Sequence, residues 1–87
     1  MITTVISTTG NREWAVWQTD GDYKTIEGTT EEIRKKFHDF MEFALPDNGT
    51  LFVPPKFIKS IRKTTNAADC CNLVMKDGYK HTVLRHR

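Results

Sequence analysis

The chain has 87 residues, of which 38% are hydrophobic and 28% charged, and its formal net charge is +2. This length and balance favour one globular domain spanning residues 1–87 and leave too few residues for two. The apolar runs are too short to cross a bilayer, and residues 1–4 lack the charged start of a signal peptide, so the sequence predicts a cytoplasmic protein with no membrane partner.

The first predicted elements are a strand and a β-hairpin. Apolar and polar residues alternate over Ile2–Ser7, which predicts a strand. Residues 12–19 and 22–27 alternate in the same way on either side of Asp20-Gly21. An Asp-Gly pair between such segments is the strongest short-range hairpin signal, and it is interpreted here as a two-residue loop.

This loop fixes a predicted register for the first hairpin. A two-residue loop pairs Gln18 with Tyr23 and puts Tyr23 on the same side as Trp14 and Val16. Trp17 then lies on the other side, because successive side chains of a strand alternate. We therefore expect one tryptophan to be in the core and the other to be the best aromatic contact residue, or an edge residue packed under the helix.

One amphipathic helix follows the first hairpin. Thr29 and Glu32 have the spacing of a capping box at a helix start. Leu45-Pro46 ends the predicted helix, because a residue before proline avoids helical geometry. The apolar stripe predicted to face the sheet comprises Ile33, Phe37, Phe40, Met41 and Ala44.

The segments after the helix predict further strands. Pro54-Pro55 follows Leu51–Val53, which is therefore predicted to be an edge strand or an extended link. Phe57–Lys63 predicts another strand. The fold class is α+β, with one small antiparallel sheet packed on a single helix in the order β-β-β-α-β-β-β-β.

A second Asp-Gly pair, Asp77-Gly78, predicts a hairpin between residues 71–76 and 79–84. A two-residue loop pairs Leu73 with Thr82 on the predicted core side. His81 is then expected to lie on the opposite face, with Val74, Tyr79 and Val83.

The sequence contains no catalytic motif, and no phosphate-binding loop of the GxGxxG or GxxxxGK[ST] type. Cys70-Cys71 has three interpretations: a strained disulfide, a metal site with His81 and His86, or a buried Cys71 beside a free Cys70. The last is favoured because metal-ligand spacing is missing. We therefore predict no enzyme activity, no cofactor and no metal.

The basic residues are concentrated in the C-terminal half of the chain, and the acidic residues before Pro55. Such asymmetry favours an anionic partner. The alternative is a solvated sheet face whose lysines protect an edge from pairing. The predicted nucleic-acid-binding residues are Lys56, Lys59, Arg62, Lys63, Lys80, Arg85 and Arg87.

Several local motifs resemble LytTR-type DNA-binding domains over about residues 12–87. They are Gln18–Tyr23 leading into Gly28–Ile33, then Phe57–Ile61, Lys76–Tyr79 and Val83–Arg87. The resemblance implies DNA contacts from Arg85 and Arg87, with Lys56 as a third. The His-Arg-Ser-Tyr stretch of that family is absent, and Phe52-Val53-Pro54-Pro55 stands in its place.

The sequence thus predicts a non-enzymatic binding module, with nucleic acid, specifically DNA, as the first expected partner. The alternative is a small protein-binding or inhibitor module, such as phages use against host proteins. It would bind through a sheet edge, the exposed tryptophan or the acidic first half. The chain is expected to be a monomer, or a homodimer formed through Leu51–Val53.

Overall fold

The computed structural model describes residues 1–7, 12–63 and 69–84 of the chain. These residues form an α+β fold, as predicted, and a short 3-10 helix at Pro55–Phe57 connects two of the strands. None of them forms a helix long and apolar enough to span a bilayer. The elements in chain order are β1 (Ile2–Ser7), β2 (Glu13–Gln18), β3 (Tyr23–Glu27), α1 (Thr30–Lys36), β4 (Met41–Ala44), β5 (Thr50–Val53), β6 (Ile58–Lys63), β7 (Cys70–Met75) and β8 (Lys80–Leu84).

The described strands form two antiparallel sheets. One has five strands in the order β3-β2-β1-β5-β4, and the other has three strands in the order β6-β7-β8. The prediction of a single sheet is therefore wrong. The predicted strand order also lacks β4, because the sequence pattern predicts that the helix continues through residues 41–44.

Two buried apolar clusters divide the molecule into three layers, with the five-stranded sheet in the middle. The first cluster joins α1 to one face of this sheet and contains Val5, Trp14, Val16, Ile33, Phe37 and Phe52. The second joins its other face to the three-stranded sheet and contains Phe43, Leu45, Leu51, Val53, Cys71, Leu73, Met75 and Val83.

Strand β5 contributes to both clusters. Phe52 packs on the helix side, where its ring centroid lies 5.7 Å from that of Trp14. Leu51 and Val53 face the three-stranded sheet. A strand buried on both faces has a continuous apolar sequence, which explains the run at 51–53. Because β5 pairs with β1 and β4, the prediction of an edge strand is wrong, and neither edge of β5 is open for pairing with a second copy.

The helix begins as predicted but ends early. The capping box is confirmed, since the Thr29 hydroxyl accepts from the Glu32 N–H at 3.2 Å and the Glu32 carboxylate accepts from the Thr29 N–H at 3.1 Å. The prediction that the helix continues to Ala44 is wrong. Residues 41–44 pair with β5 instead and bury Phe43, so tertiary pairing overrides local helical periodicity.

Three β-hairpins share one loop geometry. Their loops are residues 19–21, 46–48 and 76–78, and the last residue of each has a positive φ, at 88° for Gly21, 71° for Asn48 and 92° for Gly78. The N–H of this residue donates to the carbonyl of the residue before the loop, at 3.1, 3.2 and 2.9 Å respectively. This is a type I turn followed by a left-handed residue, the usual three-residue hairpin loop.

The middle residue of each loop is an aspartate that fixes the turn. Its carboxylate accepts the N–H of the residue two positions further on, a local bond typical of aspartate in turns. The donor–acceptor distances are 3.0 Å from Asp22 to Asp20, 3.2 Å from Gly49 to Asp47 and 2.9 Å from Tyr79 to Asp77.

The three-residue loop shifts the first hairpin by one residue relative to the prediction. Tyr23 pairs with Trp17, and not with Gln18. Because side chains alternate along a strand, a one-residue shift moves a whole set of partners to the other face. Tyr23 therefore lies on the side of Trp17, and not on the side of Trp14 as predicted.

The β7–β8 hairpin is shifted by one residue in the same way. Leu73 pairs with His81, and not with Thr82. Thr82 is exposed, whereas Val83 is buried in the cluster between the sheets. The prediction that His81 faces away from Leu73 and Cys71 is therefore wrong.

The left-handed loop residues generate a stability prediction. No atom lies within 4 Å of the position that a Cβ would occupy on Gly21 or Gly78, so a substitution there acts through backbone strain alone. We expect Gly78→Ala to lower the free energy of unfolding by about 1 kcal/mol, measured by chemical denaturation. Gly78→Asn is the matched control and should cost less, because asparagine tolerates this conformation. Equal stability of the wild type and the alanine variant would contradict the loop assignment.

Candidate functional site

A cleft of about 470 Å³ lies where the β2–β3 hairpin faces the β7–β8 hairpin. Its volume is within the range of known ligand sites, about 300–1,000 Å³. We name it the aromatic cleft. The side of the five-stranded sheet contributes Ile6 and Trp17, and the opposite side contributes Phe57, Met75, Tyr79 and His81.

Trp17 lines the first wall of the aromatic cleft, and Tyr23, which is not a lining residue, packs against its ring. Trp17 and Tyr23 are direct cross-strand partners, and their ring centroids lie 4.7 Å apart at an interplanar angle of 31°. Both remain open to solvent, with 39% of Trp17 and 57% of Tyr23 exposed. Mutual packing restricts these rings, so they form a preorganised apolar surface.

The second wall is formed by Tyr79 and His81. Their ring centroids lie 4.6 Å apart at 50°, and Tyr79 is 62% exposed whereas His81 is half-buried. The N–H of Lys76 donates to the Phe57 carbonyl at 2.8 Å. This bond fixes the loop of the β7–β8 hairpin to the 3-10 helix. This wall is therefore anchored at the loop of its hairpin.

Burial lowers the pKa of His81, and the nearby carboxylate of Asp77 only partly opposes the effect. Removing an imidazolium from water is costly, so the neutral form is favoured. At neutral pH the aromatic cleft therefore presents His81 as a neutral ring that can donate and accept hydrogen bonds.

Charges of both signs surround the aromatic cleft. Lys76 and Asp77 line it, and Asp20 and Asp22 flank the lining residue Gly21. The ammonium group of Lys56 lies 5.5 Å from the centroid of the Phe57 ring. Because neither sign dominates, the chemical character of the cleft comes from its aromatic and apolar side chains.

Arg62 and Lys80, two of the predicted nucleic-acid-binding residues, share the outer face of the three-stranded sheet. Arg62 lies in the cross-strand row of Asn72 and Thr82, whereas Lys80 pairs with Val74 in the next row. Both cations are exposed. The structure thus brings these two residues to one surface.

The other predicted cations lie elsewhere. Lys56 is in the 3-10 helix, and Lys59 is at the register irregularity of β6. Lys63 pairs with Cys71, whose side chain faces the other sheet, so Lys63 does not share the outer face. Arg85 and Arg87 lie outside the described residues.

The prediction that one of the two tryptophans lies in the core is confirmed. Trp14 is 1% exposed, and its indole N–H donates to the Gly28 carbonyl at 3.0 Å, whereas Trp17 is exposed in the aromatic cleft. Sequence reasoning missed Tyr79 and His81 as its neighbours, and the reason is the loop length. An Asp-Gly pair occurs in both two-residue and three-residue loops, so it does not by itself distinguish the two registers.

The cysteines lie at the opposite end of β7 from Met75, which lines the aromatic cleft. Cys71 is buried in the second cluster, as predicted, Cys70 is half-buried, and the two form no disulfide. Among the described residues, no three His, Cys, Asp or Glu side chains are grouped to hold a metal ion.

Comparison of the chain with protein-family models, curated proteins and solved structures gives no match.

The lowered pKa of His81 predicts a pH effect on stability. The ordinary pKa is 6.5, so below about pH 6.5 the unfolded chain binds a proton more readily than the folded protein does. The free energy of unfolding should therefore fall as the pH decreases through this range, and His81→Gln should make this fall shallower. Denaturation at a series of pH values checks this, with His38→Gln as the control for loss of an exposed histidine. An unchanged pH dependence in His81→Gln would contradict the burial of this imidazole.

Proposed function

We propose that this chain is a non-enzymatic binding module that holds a segment of a partner protein in the aromatic cleft. The observation that supports this most strongly is the clustering of exposed rings. Of seven large apolar side chains exposed in the described residues, Trp17 and Tyr79 line this one cleft, and Tyr23 packs against Trp17 beside it. Exposed apolar patches mark interaction sites, and buried tryptophan and tyrosine side chains carry much of the energy of protein interfaces.

The attachments of the cleft walls support the same proposal. The N–H of Thr19 donates to the Met1 carbonyl at 2.9 Å, which ties the first hairpin loop to the start of β1. The Thr3 hydroxyl donates to the Trp17 carbonyl at 3.4 Å. A preorganised surface loses little conformational entropy when a ligand binds, so its contact area is converted efficiently into affinity.

The non-enzymatic part of the proposal is supported by the surroundings of His81. A general base requires a nucleophile or a substrate proton within hydrogen-bond reach. In the described residues His81 packs against Tyr79, and the nearby Thr3 hydroxyl donates to a backbone carbonyl. The inhibitor role expected from the sequence is a special case of this proposal, in which the bound partner is an enzyme.

Selection of a displayed random peptide library against the immobilised protein tests the proposal. We expect enriched peptides whose affinity falls by about 2 kcal/mol, roughly thirtyfold, in Trp17→Ala, because the ring is a central apolar contact. Leu84→Ala is the matched control, since it removes an exposed apolar side chain outside the cleft and should leave binding unchanged. Absence of enrichment, or equal binding to Trp17→Ala, contradicts the proposal.

We also propose a second candidate, binding of DNA by the outer face of the three-stranded sheet. It is supported by Arg62 and Lys80, because the described residues of that face include no aspartate or glutamate. Neither cation lies within ion-pair distance of a described carboxylate. The LytTR resemblance stays a prediction. It implies that Arg85 and Arg87, which lie outside the described residues, also contact DNA.

Titration with labelled duplex DNA at several salt concentrations tests this candidate. If Arg62 and Lys80 contact phosphates, the double variant Arg62→Gln/Lys80→Gln should reduce the slope of log affinity against log salt by about 2. Lys35→Gln/Lys36→Gln is the control, because these exposed cations lie on α1. Lack of binding at low salt, or an equal loss in the control, rejects DNA binding by this face.

A further inference from the structure

We infer that the outer face of the three-stranded sheet binds in the major groove of duplex DNA, where the Asn72 amide contacts an adenine. This inference rests on the second candidate function, DNA binding by this face, and assigns the groove and the base. It follows from three features of the face: the placement of its cations, the width of the sheet and the free hydrogen-bonding groups of Asn72.

The outer face carries positive charge and no negative charge. Its described strand residues are Ser60, Arg62, Cys70, Asn72, Val74, Lys80, Thr82 and Leu84. The carboxylates nearest to β7 along the chain, Asp69 and Asp77, flank that strand and lie outside these rows. Arg62 and Lys80 are exposed, and neither forms an ion pair with a described residue. A polyanion is therefore the complementary partner for this face.

The two cations stand on the outer strands, with the middle strand β7 between them. Arg62 is on β6 and Lys80 is on β8, one cross-strand row further along. Ordinary strand spacing and rise place the Cα atoms of Arg62 and Lys80 about 12 Å apart. The major groove of B-DNA is about 12 Å wide, whereas the minor groove is only about 6 Å wide. In the major groove the two cations thus reach phosphates on opposite walls while β7 faces the base edges.

Asn72 occupies the middle of this face and has hydrogen-bonding groups to spare. The Thr82 hydroxyl donates to the Asn72 side-chain carbonyl at 3.4 Å, which orients the amide. In the described residues the Asn72 amide nitrogen donates to no acceptor, and its carbonyl keeps a second lone pair. In the major groove adenine presents an N7 acceptor beside an N6 donor, and asparagine pairs with both. The free groups of Asn72 match this pattern.

Single-stranded nucleic acid fits the outer face less well. Proteins that bind single strands stack the bases on aromatic side chains. The described strand residues of the outer face include no aromatic side chain. The exposed rings of Trp17 and Tyr79 lie instead at the aromatic cleft. Contacts to the phosphates and base edges of a duplex need no such stacking surface.

Selection of the full chain against a pool of random-sequence DNA duplexes, followed by base substitution, tests the inference. We expect enriched duplexes that share an adenine-containing motif and bind about tenfold more tightly than the unselected pool. Replacing the adenine by 7-deazaadenine removes the N7 acceptor but keeps base pairing, so binding should weaken about tenfold. 3-Deazaadenine is the matched control, because it removes the minor-groove acceptor instead and should leave the affinity unchanged.

Variants of the chain locate the contact on the protein. Asn72→Ala should abolish the preference for adenine over 7-deazaadenine and leave the salt dependence of binding unchanged, because the amide contacts no phosphate. Thr82→Val keeps the size of the side chain and removes the orienting hydroxyl, so the same preference should decrease. Thr25→Val on the exposed strand β3 is the matched control and should bind as the wild type does.

The outcomes separate this inference from the candidate function on which it rests. If duplexes bind but none is enriched, or if only 3-deazaadenine weakens binding, the inference is overturned and DNA binding by this face stands. Retention of the adenine preference in Asn72→Ala also overturns the inference. If no duplex binds at low salt, both are overturned. Tighter binding of single-stranded oligothymidylate than of any duplex overturns the inference in favour of single strands.

Discussion

The left-handed backbone of the last loop residue is the constraint on which the aromatic cleft depends. Gly21 and Gly78 adopt positive φ angles that close three-residue loops, and each loop sets the register of the hairpin that it joins. Since strand side chains alternate with a period of two, register decides the face on which every side chain lies. Tyr23 thereby reaches the side of Trp17, and His81 reaches the side of Leu73.

The interior strand β5 holds the two walls in their relative positions. Its apolar side chains belong alternately to the helix-side cluster and to the cluster between the sheets, so both layers pack on one strand. Ile6 and Met75 lie where the second cluster meets the aromatic cleft and contribute to both. The cleft opens where packing between the two sheets ends, and rings that continue the apolar surface there are left exposed.

The sequence predicts local features well, because local interactions decide them. The bounds of β1, the capping box at Thr29, the burial of one tryptophan and the burial of Cys71 all agree with the structure. Pairing with β5 turned residues 41–44 into a strand, and the flanking strands made 51–53 an interior segment. Neither effect is visible in local periodicity. The site was only partly predictable. The sequence predicts that one tryptophan is a contact residue without saying which, and its companions depend on a loop length that Asp-Gly leaves open.

The most direct test of this account is the cross-strand register, measured from Hα–Hα nuclear Overhauser effects in the folded protein. The three-residue loops place Tyr23 opposite Trp17 and Lys80 opposite Val74. We expect strong Hα–Hα effects between the members of these two pairs. Strong effects between Gln18 and Tyr23 and between Met75 and Lys80 would instead mean two-residue loops, would separate the rings onto different faces and would contradict the existence of the aromatic cleft.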